Sequence, residues 1–237
     1  MPPKSGRKLN PFVVAVIAWT FVLVIFGLWI ADWSYRFSYE VPAQRRQGDK
    51  GFRFNLASGA CVDSTGVKGV SENHLGPCGV ANGLKLKRAK IENHNMIAGT
   101  IRDSEFNGVV FDWVTAHGMR WFKISFQGGK IWDSELLFAE FSGVKFENVD
   151  FRGVNFNGAK FIDCEFKNSR LLDTTFRGAT FLRTNFVGSF CELCDFSSAQ
   201  FDSSKIDSPF ERAFFNLQTV LPFPIEQADR FGFEFRD

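Results

Sequence analysis

The sequence predicts an all-β coil of short repeats preceded by a single transmembrane α-helix, and two observations support this fold class. Every fifth residue from Leu86 to Ile206 is apolar, and 14 of these 25 central positions are Phe. An α-helix repeats every 3.6 residues and a strand every two, so neither element alone produces a period of five. In addition, the 20 residues from Phe12 to Ala31 contain no charged side chain.

The positions around each central residue follow the same period. The residue two before the centre is small, as at Val144, Val149, Val154 and Ala159. The residue two after the centre is mostly Gly, Asn or Asp, which accept turn conformations, as at Gly143, Asn148, Gly153 and Asp163. Each unit therefore has two inward side chains, one large and one small, which suits a coil with a filled interior.

This pattern resembles the pentapeptide-repeat family, most clearly in the stretches FRGVNFNGAKFIDCEF and FRGATFLRTNF. The resemblance implies a right-handed quadrilateral β-helix with four pentapeptides per coil. The repeats would then form about six coils and a rod roughly 30 Å long at a coil spacing of about 4.8 Å. Ala116 at a centre and Trp113 at a turn depart from the pattern, so we expect a bulge within residues 111–120.

The apolar run Phe12–Ala31 has the length of a membrane span, because 20 residues at 1.5 Å each match a hydrocarbon core of about 30 Å. Trp29 and Trp33 at its end suit the membrane interface. A cleaved signal peptide is the alternative, but it would need a shorter apolar core and a small-x-small site. We therefore expect a retained single-pass signal anchor.

The charges around the span do not fix its orientation. Basic residues precede it at Lys4, Arg7 and Lys8, and others follow it at Arg36, Arg45, Arg46 and Lys50. A short basic tail in the cytoplasm favours an N-in anchor with the β-helix in the periplasm or another extracytoplasmic space. Cys61 and Cys78 flank a Gly-rich loop and agree with an oxidising space if they form a disulfide, although two reduced thiols remain an alternative.

The motif Cys191-Glu-Leu-Cys194 resembles a redox or metal-binding CxxC, but the repeat register predicts packing instead. Cys191 is a central position and Cys194 is the small inward position before Phe196. Buried Cys behaves as a small hydrophobic residue, whereas a redox site needs exposure and an electropositive setting. We therefore interpret both residues as part of the core.

These patterns divide the chain into six segments: a basic tail 1–10, a transmembrane helix 11–32, a linker 33–50, an N-terminal cap 51–85, the β-helix 86–206 and a C-terminal cap 207–237. Phe52, Phe54 and Leu56 alternate with polar residues and predict a short strand. Ser208 as N-cap, Pro209 at the next position and Glu211 predict a helix from Ser208 to about Leu217. Alternation at Phe231, Phe233 and Phe235 predicts a final strand.

Charge is distributed unevenly along the chain. Residues 1–100 carry 13 Lys and Arg against 6 Asp and Glu, whereas residues 101–237 carry 15 against 20. A cluster of four basic residues lies beside the first coil, at Lys85, Lys87, Arg88 and Lys90. This cluster could contact anionic lipid headgroups, and the alternative is an ordinary solvated face.

No pattern in the sequence indicates an enzyme. The histidines His74, His94 and His117 lack metal-ligand spacing, and the sequence contains no GxSxG, P-loop or GxGxxG motif. A filled β-helix presents flat faces rather than a cleft that could shift the pKa of a catalytic group. We therefore expect neither catalysis nor a cofactor, and no metal site.

Outward residues spaced 20 apart should stack in columns on the outer surface. One predicted column reads Phe122, Ser142, Ile162, Leu182 and Asp202, and a second on the adjacent face reads Trp132, Arg152, Leu172 and Glu192. Aligned apolar side chains usually mark a contact site, and Trp with Arg is typical of binding hot spots. We expect a partner to bind at Phe122, Trp132, Arg152, Ile162, Leu172 and Leu182, and chance exposure is the alternative.

These features predict a membrane-anchored, non-catalytic scaffold or accessory subunit. It would sit in the bilayer through residues 12–31 and bind a membrane or membrane-proximal protein through a β-helix face; a homo-oligomer is left open. One alternative is a cell-envelope structural protein without a dedicated membrane partner. Another is a topoisomerase-binding DNA mimic, but the modest negative charge of the repeats does not favour it, and no nucleic acid is expected as a partner.

Overall fold

The structure, a computed structural model, describes residues 53–55, 60–62, 71–72, 74–208 and 210–236. It contains 25 short strands and two 3₁₀ helices among these residues. In chain order the strands are β1 Arg53–Asn55, β2 Ala60–Val62, β3 Ser71–Glu72, β4 Gly79–Asn82, β5 Lys85–Lys87, β6 Lys90–Glu92, β7 Thr100–Arg102, β8 Glu105–Asn107, β9 Val110–Asp112, β10 Arg120–Phe122, β11 Ser125–Gln127, β12 Lys130–Trp132, β13 Glu140–Ser142, β14 Lys145–Glu147, β15 Asp150–Arg152, β16 Lys160–Ile162, β17 Glu165–Lys167, β18 Arg170–Leu172, β19 Thr180–Leu182, β20 Asn185–Val187, β21 Phe190–Glu192, β22 Gln200–Asp202, β23 Lys205–Ile206, β24 Ala213–Phe215 and β25 Phe233–Phe235. The 3₁₀ helices are η1 Ile225–Gln227 and η2 Asp229–Phe231.

Three parallel sheets form three sides of the coil. Sheet 1 has eight strands in the order β22-β19-β16-β13-β10-β7-β4-β3. Sheet 2 has seven strands, β23-β20-β17-β14-β11-β8-β5, and sheet 3 has six, β21-β18-β15-β12-β9-β6. The fourth side, here called the bridge face, is held by single parallel bridges that begin with Asn95 to Thr115 and Thr115 to Glu135. The predicted four-sided, right-handed β-helix is confirmed, but it has about eight turns rather than six, because β3, β4, β24 and β25 add rungs outside residues 86–206.

Identical positions stack every 20 residues because each coil hydrogen-bonds to the next with no change in register. In sheet 1, Trp121 pairs with Phe141, and Phe141 pairs with Phe161. The Phe161 ring stacks nearly parallel on Phe141 and Phe181, with ring centroids 4.9 and 5.0 Å apart. The spacing of the strands therefore also sets the spacing of the rings, and the interior is a set of continuous aromatic columns.

Small polar residues fit the interior because the neighbouring coils satisfy their hydroxyl groups. Ser169 Oγ donates to the carbonyl of Phe146 at 3.0 Å and accepts the N–H of Val149 at 3.2 Å. Thr184 Oγ1 likewise donates to the carbonyl of Phe161 at 3.0 Å. Burying a hydroxyl costs little when it is hydrogen-bonded, so Ser and Thr can occupy the same positions as Val and Ala.

The residue two after each centre forms the corner of the coil and has a positive φ in every unit from Gly83 to Ser203. The enrichment of Gly, Asn and Asp at this position follows from that conformation, since these residues tolerate the left-handed region best. Larger residues also occupy it, including Trp113 at φ 54° and Phe138 at φ 56°. The turn position inferred from the sequence is confirmed.

The expected bulge within residues 111–120 is wrong. Strands β9 and β10 keep the 20-residue register with their neighbours, and Ala116 is fully buried in the bridge-face column. Ala116 lies between Met96 and Leu136 in this column, and all three are buried. A small inward residue therefore needs no change in the backbone path, and Trp113 points away from the core.

The expected helix from Ser208 to about Leu217 is also wrong. Glu211 instead bridges Glu192, and Phe214, within β24, bridges Asp195; each pair is 19 rather than 20 residues apart. Phe210, Ala213 and Phe215 are buried on the end of the core. Packing of these apolar residues prevails over the local capping signal, because burial of their apolar area contributes more stability than a cap. The final strand is confirmed as β25, while Phe231 belongs to η2.

At the other end, β1 pairs antiparallel with β2, and Phe54 lies opposite Cys61. This pairing confirms the short strand expected at Phe54. The basic tail 1–10, the transmembrane helix 11–32 and the linker 33–50 lie outside the described residues, so the span stays a prediction. Within the part of the chain that the structure describes, no helix is long and apolar enough to cross a bilayer.

Replacing Phe161 with Ala should destabilise the fold by about 3–5 kcal/mol, because it interrupts a stacked column and leaves a cavity. The free energy of unfolding by urea measures the loss. Lys160→Ala, at the adjacent exposed position, is the control and should change stability by less than about 0.5 kcal/mol. Equal effects of the two substitutions would contradict the columnar core.

Candidate functional site

The first predicted column lies on sheet 1 in the expected register. Phe122 pairs with Ser142, Ser142 with Ile162 and Ile162 with Leu182. Each of these side chains is half-buried by its neighbours in the sheet. The guanidinium of Arg102 lies 5.0 Å from the centroid of the Phe122 ring and covers one end of the column. This Phe122 column (Phe122, Ser142, Ile162, Leu182 and Asp202) is a shallow apolar strip.

The second predicted column lies on sheet 3, and its Trp is already engaged within the chain. Trp132 Nε1 donates to Asp150 Oδ2 at 3.1 Å. Lys130 Nζ lies 4.0 Å from a Trp132 ring centroid, and the Arg152 guanidinium lies 5.5 Å away. These hydrogen-bond and cation–π contacts stabilise the ring on the sheet. The Trp132 column (Trp132, Arg152, Leu172 and Glu192) is therefore a polar network with Leu172 as its apolar member.

The two columns were expected on adjacent faces, but they lie on opposite sides of the coil. Phe122 belongs to sheet 1 and Trp132 to sheet 3, with sheet 2 between them. Ten residues separate Phe122 from Trp132, which is half of a 20-residue coil and places them on opposite sides. One contact surface on a flat partner therefore cannot include both columns.

Sequence reasoning missed the most exposed aromatic side chains of the coil. Trp113 and Phe138 are 63% and 70% exposed, and they occupy corners on the two edges of the bridge face in successive coils. The Phe138 ring extends over Gly158 in the next coil, where no Cβ is present. Both residues adopt a positive φ, which disfavours a bulky side chain. The signal in the sequence was an aromatic residue at the turn position of the repeat.

Between these corners the bridge face has two outward rows, a polar one with Asn95, Thr115 and the exposed Glu135, and one without a charged side chain. Ile97, His117 and Leu137 occupy equivalent outward positions in successive coils and are half-buried. Burial lowers the pKa of His117, and the nearby Glu135 carboxylate only partly offsets this effect. His117 is therefore neutral at pH 7, and its buried Nδ1 has no hydrogen-bond partner among the described residues. We call Ile97, Trp113, His117, Leu137 and Phe138 the aromatic patch.

The basic cluster lies where expected beside the first coil. Lys85 and Lys87 are exposed on β5, Arg88 forms the following corner at φ 52°, and Lys90 is exposed on β6. Lys90 Nζ lies 2.9 Å from Glu92, whose hydrogen bond raises the pKa of the lysine. Among the described residues, strands β5 and β6 end their sheets, and Lys on edge strands discourages unwanted pairing. Contact with lipid headgroups therefore stays a prediction beside this structural role.

Four of the five cysteines form disulfides in the structure. Cys61 and Cys78 are joined with their Cα atoms 5.7 Å apart, and Cys191 and Cys194 are joined with a separation of 6.1 Å. Both members of the second pair are fully buried, which confirms the packing interpretation, while the bond between them was not foreseen. Cys164 is free and buried, and burial raises the pKa of its thiol to about 12.

The described residues offer no assembled chemistry beyond these surfaces. Among residues 74–208 and 210–236, no three His, Cys, Asp or Glu side chains converge to hold a metal ion. The interior is filled by the aromatic columns. The arrangement can therefore offer a rigid surface for binding, and Trp113 and Phe138 are its most exposed aromatic side chains.

Replacing Trp113 with Asn and Phe138 with Gly should leave the stability unchanged or raise it by up to about 1 kcal/mol. Asn and Gly favour the positive φ of these corners, and the rings bury little area. Urea unfolding of the double variant measures the effect. A loss of more than about 1 kcal/mol would show that the rings support the fold rather than a contact.

A thiol count should give no reactive group in the native protein and one, Cys164, after unfolding without reductant. The native pKa of about 12 keeps that thiol protonated well above neutral pH. Because this pKa is raised, its contribution to stability is complete below the unfolded value near 9 and is lost as the pH rises towards 12. Reaction of the native protein with a thiol reagent between pH 7 and 9 should therefore detect no thiol. A count of three or five thiols in denaturant without reductant would contradict the two disulfides.

Comparison with known proteins agrees with this geometry. The family described as Pentapeptide repeats matches residues 139–178 in eight copies. No curated protein matches the chain.

Three solved structures illustrate the similarity, each at low sequence identity. The pentapeptide repeat protein Rfr23 from the cyanobacterium Cyanothece 51142 shares 13% identity over 38% of this chain and 63% of its own, with a TM-score of 0.35. Full-length QnrB1, a plasmid-mediated fluoroquinolone resistance protein, shares 16% over 67% of this chain and 94% of its own, with a TM-score of 0.25. HetL from Nostoc sp. strain PCC 7120, involved in heterocyst differentiation regulation, shares 12% over 59% and 84%, with a TM-score of 0.24.

The chain thus spans less than two thirds of the first of these proteins. Residues 139–178 are pentapeptide repeats, and they lie within a β-helix that has the same five-residue period throughout.

Proposed function

We propose that this chain is a non-catalytic scaffold that binds a protein partner through an outer face of its β-helix. The observation that carries the proposal is the exposure of Trp113 and Phe138 at corners where the backbone disfavours both. A residue kept in an unfavourable conformation without contributing to the core suggests a role outside the fold. Exposed Trp is also the residue type most enriched in binding hot spots.

The coil suits such a role because its surface is preformed. Every side of the described coil is fixed by hydrogen bonds to the coils on either side, such as Ala116 N–H to the carbonyl of Glu135 at 2.7 Å. A partner that binds the aromatic patch therefore orders little backbone, and less binding energy is lost to conformational entropy. The neutral His117 adds no desolvation cost of a charge.

The Phe122 column on sheet 1 is the second candidate face. Its Ile162 and Leu182 form a continuous strip, as expected from the sequence. Both side chains are half-buried, so they offer less surface to a partner than the exposed side chains of the aromatic patch do. The Trp132 column is less suited, since binding there would have to compete with the contacts that Trp132 makes to Lys130 and Asp150.

The membrane part of the proposal rests on residues 12–31 alone. A span there would place the scaffold beside a membrane, where a membrane or membrane-proximal protein is the natural partner, in an extracytoplasmic space if the orientation is N-in. The cell-envelope structural protein differs only in lacking such a partner. The first-coil basic cluster would add an electrostatic contribution at an anionic surface.

The DNA-mimic alternative requires a strongly acidic face. The outward strand positions of sheet 3 instead carry balanced charges, with Lys90, Lys130, Arg152 and Arg170 against Glu92, Asp112, Asp150 and Glu192. This balance does not favour a mimic of DNA on that face, and topoisomerase binding stays a prediction.

Purification of the full chain from native membranes in mild detergent, with mass spectrometry of the proteins recovered, tests the proposal. We expect the chain to resist alkaline extraction from the membrane and to carry a stoichiometric partner. The Trp113→Asn, Phe138→Gly double variant should reduce recovery of that partner at least tenfold, because hot-spot aromatic residues contribute about 2 kcal/mol or more.

Two charge variants on the other faces serve as matched controls. Leu182→Asp alters sheet 1 and Leu172→Asp alters the opposite sheet 3, and both should leave recovery unchanged. Loss of the partner only with Leu182→Asp would move the contact to the Phe122 column. A chain that is recovered alone would exclude a stable partner and favour the envelope role, and a topoisomerase as partner would establish the DNA-mimic alternative.

A further inference from the structure

The Cys61–Cys78 disulfide joins two parts of the chain that share no sheet. Among the described strands, β1 and β2 pair only with each other and form a sheet separate from the three sheets of the coil. Cys61 lies at the centre of β2, opposite Phe54. Two paired strands are only marginally stable by themselves in water, so the disulfide to Cys78 is a major constraint on this N-terminal strand pair.

Cys78, by contrast, is fixed in the coil by backbone hydrogen bonds. It is the corner residue before β4, with φ 59°, and its N–H donates to the carbonyl of Ile97 in the next coil at 2.9 Å. The neighbouring loop is equally fixed, because Gly79 N–H donates to the carbonyl of Gly76 at 3.0 Å and the carbonyl of His74 leaves no room for a Cβ at Gly79. Loss of the disulfide would therefore leave Cys78 in place and free the strand pair.

The two cysteines of this disulfide differ in accessibility. Cys61 is half-buried, whereas Cys78 has no exposed surface. Thiol–disulfide exchange begins when a thiolate attacks one sulfur of the bond, so its rate depends on access to that sulfur. A reagent in solution therefore reaches this bond from the Cys61 side, and Cys78 is the leaving group.

The Cys191–Cys194 disulfide has no accessible side. Both residues are fully buried, and their carbonyls accept hydrogen bonds from the C-terminal cap, with Glu211 N–H 2.6 Å from the oxygen of Cys191 and Phe214 N–H 2.7 Å from the oxygen of Cys194. A thiolate could reach this bond only after the end of the coil opened, and a packed core opens rarely. The chain thus contains one accessible and one inaccessible disulfide.

We propose that the Cys61–Cys78 bond is a reversible redox cross-link, which a dithiol reductant opens to free the N-terminal strand pair. One thiolate of the dithiol attacks Sγ of Cys61, the bond to Cys78 breaks, and its electron pair leaves on Sγ of Cys78, which takes up a proton. The second thiol of the dithiol then loses its proton, attacks the first sulfur of the dithiol and releases Cys61, which takes up the second proton. The dithiol is oxidised to a disulfide, both cysteines are reduced to thiols, and an oxidised dithiol reverses each step.

The state of this cross-link changes how the chain before Cys61 is tethered to the coil. Cys61 and Cys78 are 17 positions apart in the sequence, so the disulfide replaces a covalent path of that length by one bond. In the chain-entropy model of disulfides, closing a loop of this size makes the open state about 100-fold less populated. If the predicted span 12–31 is correct, reduction would lengthen the tether between the membrane and the first coil. The cross-link does not involve the aromatic patch, so it is independent of the partner proposed above.

Limited reduction of the full chain in mild detergent tests the proposal, with dithiothreitol as the dithiol. Samples are stopped with acid, unfolded, alkylated and digested, and mass spectrometry then measures the free thiol at each cysteine. We expect Cys61 and Cys78 to become free together, at least about 100-fold faster than Cys191 and Cys194. Cys164, which is free from the start, is the internal standard. Equal rates, or earlier reduction of the Cys191–Cys194 bond, would overturn the proposal.

Hydrogen exchange of the oxidised and the reduced protein tests the release of the strand pair. Amides of β1 and β2 should exchange about 100-fold faster after reduction, while those of β10 to β20 should not change. Cys61→Ser should show the fast exchange with or without reductant, and the matched control Cys164→Ser should behave like the parent protein. Unchanged exchange of β1 and β2 after reduction would show that the bond does not constrain them, and faster exchange of the whole coil would show that the bond supports the fold instead. Either result would contradict a releasable cross-link.

Discussion

The hydrogen bonds between successive coils are the constraint on which the rest of this structure depends. They fix the coil spacing and the 20-residue register together, so that every side chain lies directly above and below its equivalents. Phe161 can stack on both Phe141 and Phe181 only because the strands that carry them are held in this register. The same constraint places buried hydroxyls such as Ser169 within reach of a carbonyl in the previous coil. Core, corners and faces are thus consequences of one repeated ladder.

The inward and outward positions of the repeat could be predicted in full, because the period of five in the sequence indicates them directly. Its weak unit at Ala116 suggested a defect, but the bridges from Asn95 to Thr115 and from Thr115 to Glu135 continue through that unit, so the small side chain leaves the backbone path unchanged. The helix expected after Ser208 failed for the opposite reason. Its capping signal is local, whereas Phe210 and Phe215 gain more by covering the end of the core.

The surface was less predictable than the core. The columns of Phe122 and Trp132 were found correctly, but their relative placement was not. Each side of the coil contains five residues, so two residues that are ten apart lie on opposite sides. The exposure of Trp113 and Phe138 depends on where a corner side chain points, and the hydrophobic pattern cannot distinguish a buried aromatic residue from one at a turn. The contacts that occupy Trp132 depend on neighbours 18 and 20 residues away, Asp150 and Arg152.

The unbroken 20-residue register also makes the distance between two points along the coil depend only on the number of coils between them. Gain or loss of one whole coil would change the distance between the basic cluster at Lys87 and the edge of β25 by one rung, about 4.8 Å, and would leave both ends and every face in the same orientation. Gain or loss of a single pentapeptide would instead rotate everything beyond it by a quarter turn and separate each column from its continuation. The coil can therefore be lengthened or shortened without rotating its ends only in steps of four repeats. The distance between two molecules bound along it would change in the same steps.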